Sequence, residues 1–313
     1  MNDRSKTIGS SEIAAIMGLN KYMTPIDVWK RKTGRAEEFE GNAATERGLL
    51  LEPVVAQWFM KEKEIEVKLA QMFCKLANYP CSATPDYFYW IDTEPGESKS
   101  DNTPYTEARG ILEIKTTRFR VCADDIPQSW FLQAQYQAAV ISKSSIECPI
   151  EEISLAWLDG DLAFGYTTFK VDDGLGQSLL NFAYHWWQRH IVQDVMPDPV
   201  NQAELAYKYP KDSGESIQAS NLLQVHIEVS RDYKQSIAET EKKLDESIFC
   251  IKELMQDKTS VMHGDNVLCT WKASKPRKIF DSKRFQAENP ELYEKYLQEV
   301  PGNRVFLLKP KKE

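Results

Sequence analysis

Gly110-Ile111-Leu112-Glu113-Ile114-Lys115-Thr116-Thr117 is the stretch on which the reading of this chain turns. Ile111 to Thr117 is rich in β-branched residues and predicts a strand. Strand side chains alternate with period 2, so Glu113 and Lys115 share one face, while Leu112, Ile114 and Thr116 share the other, which suits a core. A carboxylate and an ammonium inside an apolar strand are costly to bury unless they pair or bind a metal. Thr84-Pro85-Asp86 closes part of a second expected strand, and Asp86 reaches the same face if the two strands pair. Two carboxylates and a backbone carbonyl make a hard oxygen site suited to magnesium or manganese. A lysine beside them can orient or activate a water, and the metal can polarise a phosphate. Spacing alone does not decide, because Glu-x-Lys occurs four times: Glu66/Lys68, Glu97/Lys99, Glu113/Lys115 and Glu241/Lys243. Only Glu113/Lys115 sits in an apolar strand that follows a Pro-Asp. The alternative is a solvent-facing edge strand carrying an ion pair.

Upstream, Gly9-Ser10-Ser11-Glu12 reads as a helix entry, with Ile13, Ala14, Ile16 and Met17 as the apolar face. Thr24-Pro25 opens a second helix that Gly34 stops. In residues 43–63, Leu51, Val54, Val55, Trp58 and Phe59 recur at helical spacing. Val67 to Phe73 and Cys81 to Trp90 read as strands, and Asp92 to Arg109 as a long polar loop. Downstream, Pro127 to Ile141 predicts a helix. Glu152 to Leu158 and Leu162 to Val171 predict strands joined through Asp159-Gly160, and Ser178 to Val195 an aromatic helix. The expected order is an α/β pattern over residues 1–200, followed by a linker over 201–215. Residues 216–313 form an extension: a long amphipathic helix over 217–255, then strands at Val267 to Lys272 and Arg304 to Lys309.

The chain has 313 residues and a formal net charge of −8, which weighs against a passive DNA-coating protein. It leaves room for a DNA enzyme whose basic residues line one groove and whose metal ions offset clustered carboxylates. No apolar run approaches the ~18 residues of a membrane helix, and no signal-peptide core follows Met1; a cytoplasmic protein is expected. The six cysteines form no C-x-x-C pair, so free, mostly buried thiols are expected rather than a zinc or iron–sulfur site. His185 and His190 are five apart and flank Trp186-Trp187, which reads as packing rather than a metal pair. No G-x-x-x-x-G-K-[ST] and no G-x-S-x-G occurs, which leaves ATPase and serine-hydrolase readings without support.

Pro85-Asp86 followed by Glu113-Ile114-Lys115 resembles the motif of the PD-(D/E)XK nucleases. Ile8-Gly9-Ser10-Ser11-Glu12 with its sequel to Leu19, Arg47-Gly48-Leu49-Leu50-Leu51-Glu52-Pro53 and Gln133-Ala134-Gln135 narrow this further. Together they resemble the YqaJ-type viral recombinases of the lambda exonuclease-like branch, over about residues 4–199. The resemblance implies a central mixed β-sheet flanked by helices. It implies Asp86, Glu113 and the Ile114 carbonyl as ligands of Mg2+ (or Mn2+), and Lys115 as the group that positions the attacking water. It also implies Glu52 at a second metal or a bound water, Gln133 holding Lys115 or the scissile phosphate, and Arg4 and Ser11 facing a terminal 5′-phosphate. The implied activity is 5′ to 3′ resection of linear double-stranded DNA by a ring-shaped trimer, in a bacterial host cell, with a single-strand annealing protein as partner. The gap between Asp86 and Glu113 is longer than that branch's pattern. Rivals are a structure-specific or restriction-type endonuclease with the same site, and a non-catalytic DNA-binding scaffold on the same fold.

Overall fold

The computed structural model describes residues 4–36, 41–70, 72–91, 108–144, 148–299, 302 and 304–311. They divide into two units, residues 1–208 and 209–313. In the first unit the elements run β1 (Ile8–Gly9), α1 (Ser10–Ile16), α2 (Pro25–Lys32), α3 (Ala43–Lys63), β2 (Val67–Leu69), β3 (Cys74–Lys75) and β4 (Cys81–Ala83). There follow β5 (Tyr87–Tyr89), β6 (Gly110–Thr116), α4 (Gln128–Ser142), β7 (Glu152–Leu158), β8 (Phe164–Lys170), α5 (Asp173–Trp187) and α6 (Gln202–Lys208). The second unit holds α7 (Asn221–Met255), the antiparallel pair β9 (Ser260–His263) and β10 (Asn266–Thr270), α8 (Ser282–Glu288) and α9 (Pro290–Tyr296).

The main sheet has the order β2-β5-β6-β7-β8. Its β6–β7 pair is parallel and the other pairs are antiparallel, so the sheet is mixed, as expected. The period-2 alternation of β6 divides the core in two. Ile111 packs on one face with Phe88, Ile153 and Leu155 and with the buried residues of α1, α2, α4 and α5. Leu112 and Ile114 pack on the other with Tyr87, Tyr89, Ala156 and with Val55, Ala56 and Phe59 of α3. Glu113 and Lys115 therefore lie on the α4 side. The expected two-faced strand is the central structural fact.

The helix starts follow local chemistry. Glu12 Oε2 accepts the Gly9 N–H at 2.8 Å, which closes the entry to α1. Thr24 and Asp27 form a reciprocal capping box on α2, with Pro25 at its first turn. Asn42 Oδ1 accepts the Ala44 and Thr45 N–H groups at 3.0 Å and opens α3. The hairpin turn at Asp159-Gly160 is held by Asp159 Oδ1, which accepts from Asp161 and Ala163 N–H groups.

Five expectations are corrected. Cys81 to Trp90 is two strands in two sheets: β4 pairs with β1 and β3, while β5 joins the main sheet. The break falls at Pro85, which has no N–H for a ladder. Val67 to Phe73 is likewise not one strand, since β2 ends at Leu69 and pairs with β5. Helix α5 begins earlier, because Asp172 Oδ1 caps it through the Leu175 N–H at 2.9 Å, and a π turn (Gln188–Val192) follows it. Residues 202–208, expected within the linker, form α6, whose Glu204 is buried. Arg304 to Lys309 forms no strand. Residues 92–107 of the expected polar loop lie outside the described residues.

The cysteines are free thiols: Cys74, Cys81 and Cys148 are buried, Cys269 is half-buried, and Cys122 and Cys250 are exposed. Burial pushes each of the three buried thiols up to about 11. Trp186 is buried in the core and the His190 ring lies 4.9 Å from it. No helix among the described residues is long and apolar enough to cross a membrane.

Candidate active site

The site forms where β5 stops short. β5 pairs with β6 only from Gly110 to Leu112, which leaves the same edge of β6 open beyond Leu112. Asp86, just before β5, fills that opening: its Oδ2 accepts the Ile114 N–H at 2.8 Å. The N–H and C=O of one strand residue face the same neighbour, so the Ile114 carbonyl opens toward the edge that Asp86 occupies.

On the α4 face, Glu113 is buried and anchors a network. Its Oε1 accepts from Lys115 Nζ at 2.7 Å and from Gln133 Nε2 at 2.5 Å. Lys115 Nζ donates as well to Gln133 Oε1 at 3.0 Å. An ammonium has three donors. Among the described residues two of Lys115's are used, and the third is left for a water or a phosphate oxygen.

Glu52 comes from α3, on the far face of the sheet, immediately before Pro53. Burial and the nearby Glu113 charge raise its carboxyl above the ordinary range. Asp86 is raised well above the ordinary range, first by burial and then by Glu113; the Ile114 N–H and Lys115 pull it back, and Glu52 adds to the rise. Three carboxylates thus repel one another across the open edge of β6, with Lys115 the cation acting on Asp86. Among the described residues no group of three or more His, Cys, Asp or Glu side chains converges as a ready-made metal cage. The donor set is two crowded carboxylates and a carbonyl, a hard oxygen set whose mutual repulsion a divalent cation relieves. It suits an ion that keeps several of its own waters, as Mg2+ does.

A cavity of about 520 Å³ opens beside Lys115 and Gln133. Ser11, Lys21, Tyr22, Phe119, Arg120 and Trp130 also line it. Tyr22 and Phe119 are exposed, and Lys21 Nζ lies 3.8 Å from the Phe119 ring centroid. Arg4 Nη2 donates to Thr84 Oγ1 at 3.0 Å, two residues before Asp86. The structure therefore joins Glu113, Lys115 and Gln133 in one hydrogen-bonded group and seats Asp86 beside it on the Ile114 N–H. It brings Glu52 within electrostatic range of that group, Ser11 to the adjoining cavity, and Arg4 to the chain that carries Asp86.

Gln137 is a site residue that the sequence reading missed. It is fully buried, and its Nε2 donates to Glu113 Oε2 and to the Thr84 carbonyl, both at 3.0 Å. Helical i, i+4 spacing pairs it with Gln133. Gln135, by contrast, donates to the Lys170 carbonyl and accepts the Asp172 N–H, bracing β8 and the start of α5.

Comparison with known proteins gives one extended sequence relative. The YqaJ protein of Bacillus subtilis (strain 168) is 26% identical over 312 residues, covering 96% of this chain and 91% of that one. Solved structures similar to this chain include the alkaline exonuclease LHK-Exo from Laribacter hongkongensis, at a TM-score of 0.44 and 17% identity, over 61% of this chain and 90% of that one. A phage related exonuclease from Haemophilus somnus 129PT has a TM-score of 0.41 and 11% identity, over 60% and 96%. Structural likenesses of this size do not fix a function. The four ordered motifs nonetheless meet an independent match, since residues 1–144 fit the model of the YqaJ-like viral recombinase domain family.

Proposed function

We propose that this chain is a magnesium-dependent exonuclease that resects linear double-stranded DNA from a 5′ end. The observation that carries the reading is the bonding of Lys115 Nζ to Glu113 Oε1 and Gln133 Oε1, one strand position from the Ile114 N–H that holds Asp86. Asp86, Glu113 and the Ile114 carbonyl would hold Mg2+ (or Mn2+), with Glu52 serving a second ion or a water. Such an ion, when bound, polarises the scissile phosphate and offsets the charge that develops on it.

The protein's own groups do the rest. Lys115, placed by its ion pair with Glu113, uses its remaining donor to orient the attacking water in line with the phosphorus–oxygen bond that breaks. Gln133 fixes the Lys115 rotamer. Ser11 and Arg4 supply donors for a terminal 5′-phosphate, and Lys21 and Arg120 place positive charge on the cavity. Removal of the 5′-ended strand leaves a 3′ single-stranded tail, the substrate of a strand-annealing protein in recombination. A ring-shaped homotrimer around the DNA would keep the enzyme on its substrate.

The test is digestion of 5′-phosphorylated linear duplex beside closed circular duplex, with Mg2+ or chelator, by wild type and Lys115→Ala. The expected result is Mg2+-dependent loss of the linear DNA alone, reduced by at least about 100-fold in the variant. Cutting of the circle would replace the reading with an endonuclease. Metal-insensitive binding without cleavage of either DNA would replace it with a DNA-binding scaffold.

A further inference from the structure

We infer that Gln137 is a positioning residue that sets the separation of the two metal-binding carboxylates; the inference rests on the nuclease reading above. Its Nε2 is bonded at once to Glu113 Oε2 on β6 and to the Thr84 carbonyl on the chain that enters Pro85-Asp86. One amide nitrogen thus ties the segment carrying one carboxylate to the other carboxylate itself. Asp86 is held from the far side by the Ile114 N–H, so both carboxylates are located relative to the same stretch of β6.

The chemistry of the partners fixes the direction of the amide. A carboxylate and a carbonyl are both acceptors, so only the NH2 end can face them. The price is visible at the other end: among the described residues Gln137 Oε1 is buried with no hydrogen-bond partner. A buried polar atom without a partner is unfavourable by about 1–3 kcal/mol. A side chain chosen for stability alone would avoid it, and what the position gains is two donors from one rigid, neutral group. Lysine and arginine would also donate, but they would add charge in a fully buried place. Gln133 and Gln137 then divide the work on Glu113: Gln133 holds Oε1 together with Lys115, and Gln137 holds Oε2.

The experiment compares the full chain with Gln137→Met and Gln135→Met. Methionine keeps the volume and removes both polar ends. Gln135 is the control because it is also buried on α4 but braces β8 and α5 away from the carboxylates. Mg2+ alone is titrated calorimetrically, the Mg2+ concentration for half-maximal cleavage is measured, and melting temperatures are recorded in chelator. Gln137→Met is expected to bind Mg2+ about 10-fold more weakly and to need correspondingly more Mg2+ for half-maximal cleavage. Gln135→Met is expected to melt lower and to keep the wild-type Mg2+ response. Equal Mg2+ affinity in Gln137→Met and wild type would overturn the inference, as would the same loss in both variants. Wild type that cleaves no DNA and binds no Mg2+ would overturn the nuclease reading itself. Should Gln137→Met not fold, Gln137→Asn keeps the amide but shortens its reach, and the same weakening is expected.

Discussion

In the metal-free protein, Asp86 ionises against burial and against the charges of Glu113 and Glu52, and only the Ile114 N–H and Lys115 favour its anion. Asp86→Asn keeps an oxygen for the Ile114 N–H and removes the charge. Relieving a strained functional site commonly yields about 0.5–2 kcal/mol. The variant should melt about 2–4 °C above wild type in chelator and should cleave nothing with Mg2+. A lower melting temperature would mean that the Asp86 charge stabilises the fold, and the repulsion argued from Glu52 and Glu113 would be wrong. At this scale the sequence was legible where one period governs. Glu113 and Lys115 share a face because the strand alternates, and that needed no structure. Gln137 was not legible, because Gln133-x-Gln135 reads as a pair in a motif. On a helix, spacing 2 points the two amides to different sides and spacing 4 aligns them. Asp86 was expected at the end of a strand and lies instead in the bend before β5; its bond to the Ile114 backbone arises because β5 starts only at Tyr87, which no local pattern encodes.

The larger elements of the first unit were readable in type more than in their number or partners. Cys81 to Trp90 looks like one aromatic strand because apolar runs do not say which sheet they join; Pro85 was the available signal for a break. Strand β6 depends on a contact that composition also hides. A Cβ on Gly110 would lie 2.1 Å from the Tyr89 ring, on the strand that pairs with it. Tyr89 is fully buried and its hydroxyl donates to Glu152 Oε1 at 3.0 Å, so the ring has little room to retreat. Gly110→Ala should therefore shift β5 against β6 and destabilise the protein by about 1–3 kcal/mol or more, read as a lower denaturant midpoint. Since Asp86 hangs on that same pair of strands, cleavage should fall even where the variant is fully folded. A variant with wild-type midpoint and activity would show that Tyr89 yields freely.

At the scale of the whole chain, the question is where the core ends. Among the described residues, every buried one but Met255 lies in the first unit, so the described part of 209–313 contributes almost nothing to the buried apolar core. A truncated chain of residues 1–208 should accordingly fold and melt cooperatively on its own. The division between the units, at residues 208 and 209, falls inside the linker expected over 201–215, but not at its start. Residues 201–215 read as a linker because Tyr209 to Gly214 is polar and turn-prone, and a seven-residue helix beside it carries too little periodicity to stand out. Yet α6 finishes the packing of the first unit. Buried Glu204 accepts from Thr24 Oγ1, the residue that caps α2, and accepts the Val200 N–H at 2.9 Å. Lys30 Nζ lies 3.7 Å from the Tyr207 ring centroid, and Lys208 Nζ reaches Asp198 Oδ1 at 2.8 Å. A chain ending at residue 200 leaves Thr24 without that acceptor and uncovers the surface under α6. It should be less stable than the 1–208 chain by about 1–2 kcal/mol, read by chemical denaturation of both. Equal midpoints would make α6 dispensable. Equal cleavage of linear DNA by the 1–208 and full-length chains would place the whole chemistry in the first unit. A folded 1–208 chain that no longer degrades long duplexes, but still cleaves short ones, would assign residues 209–313 to holding the enzyme on its DNA.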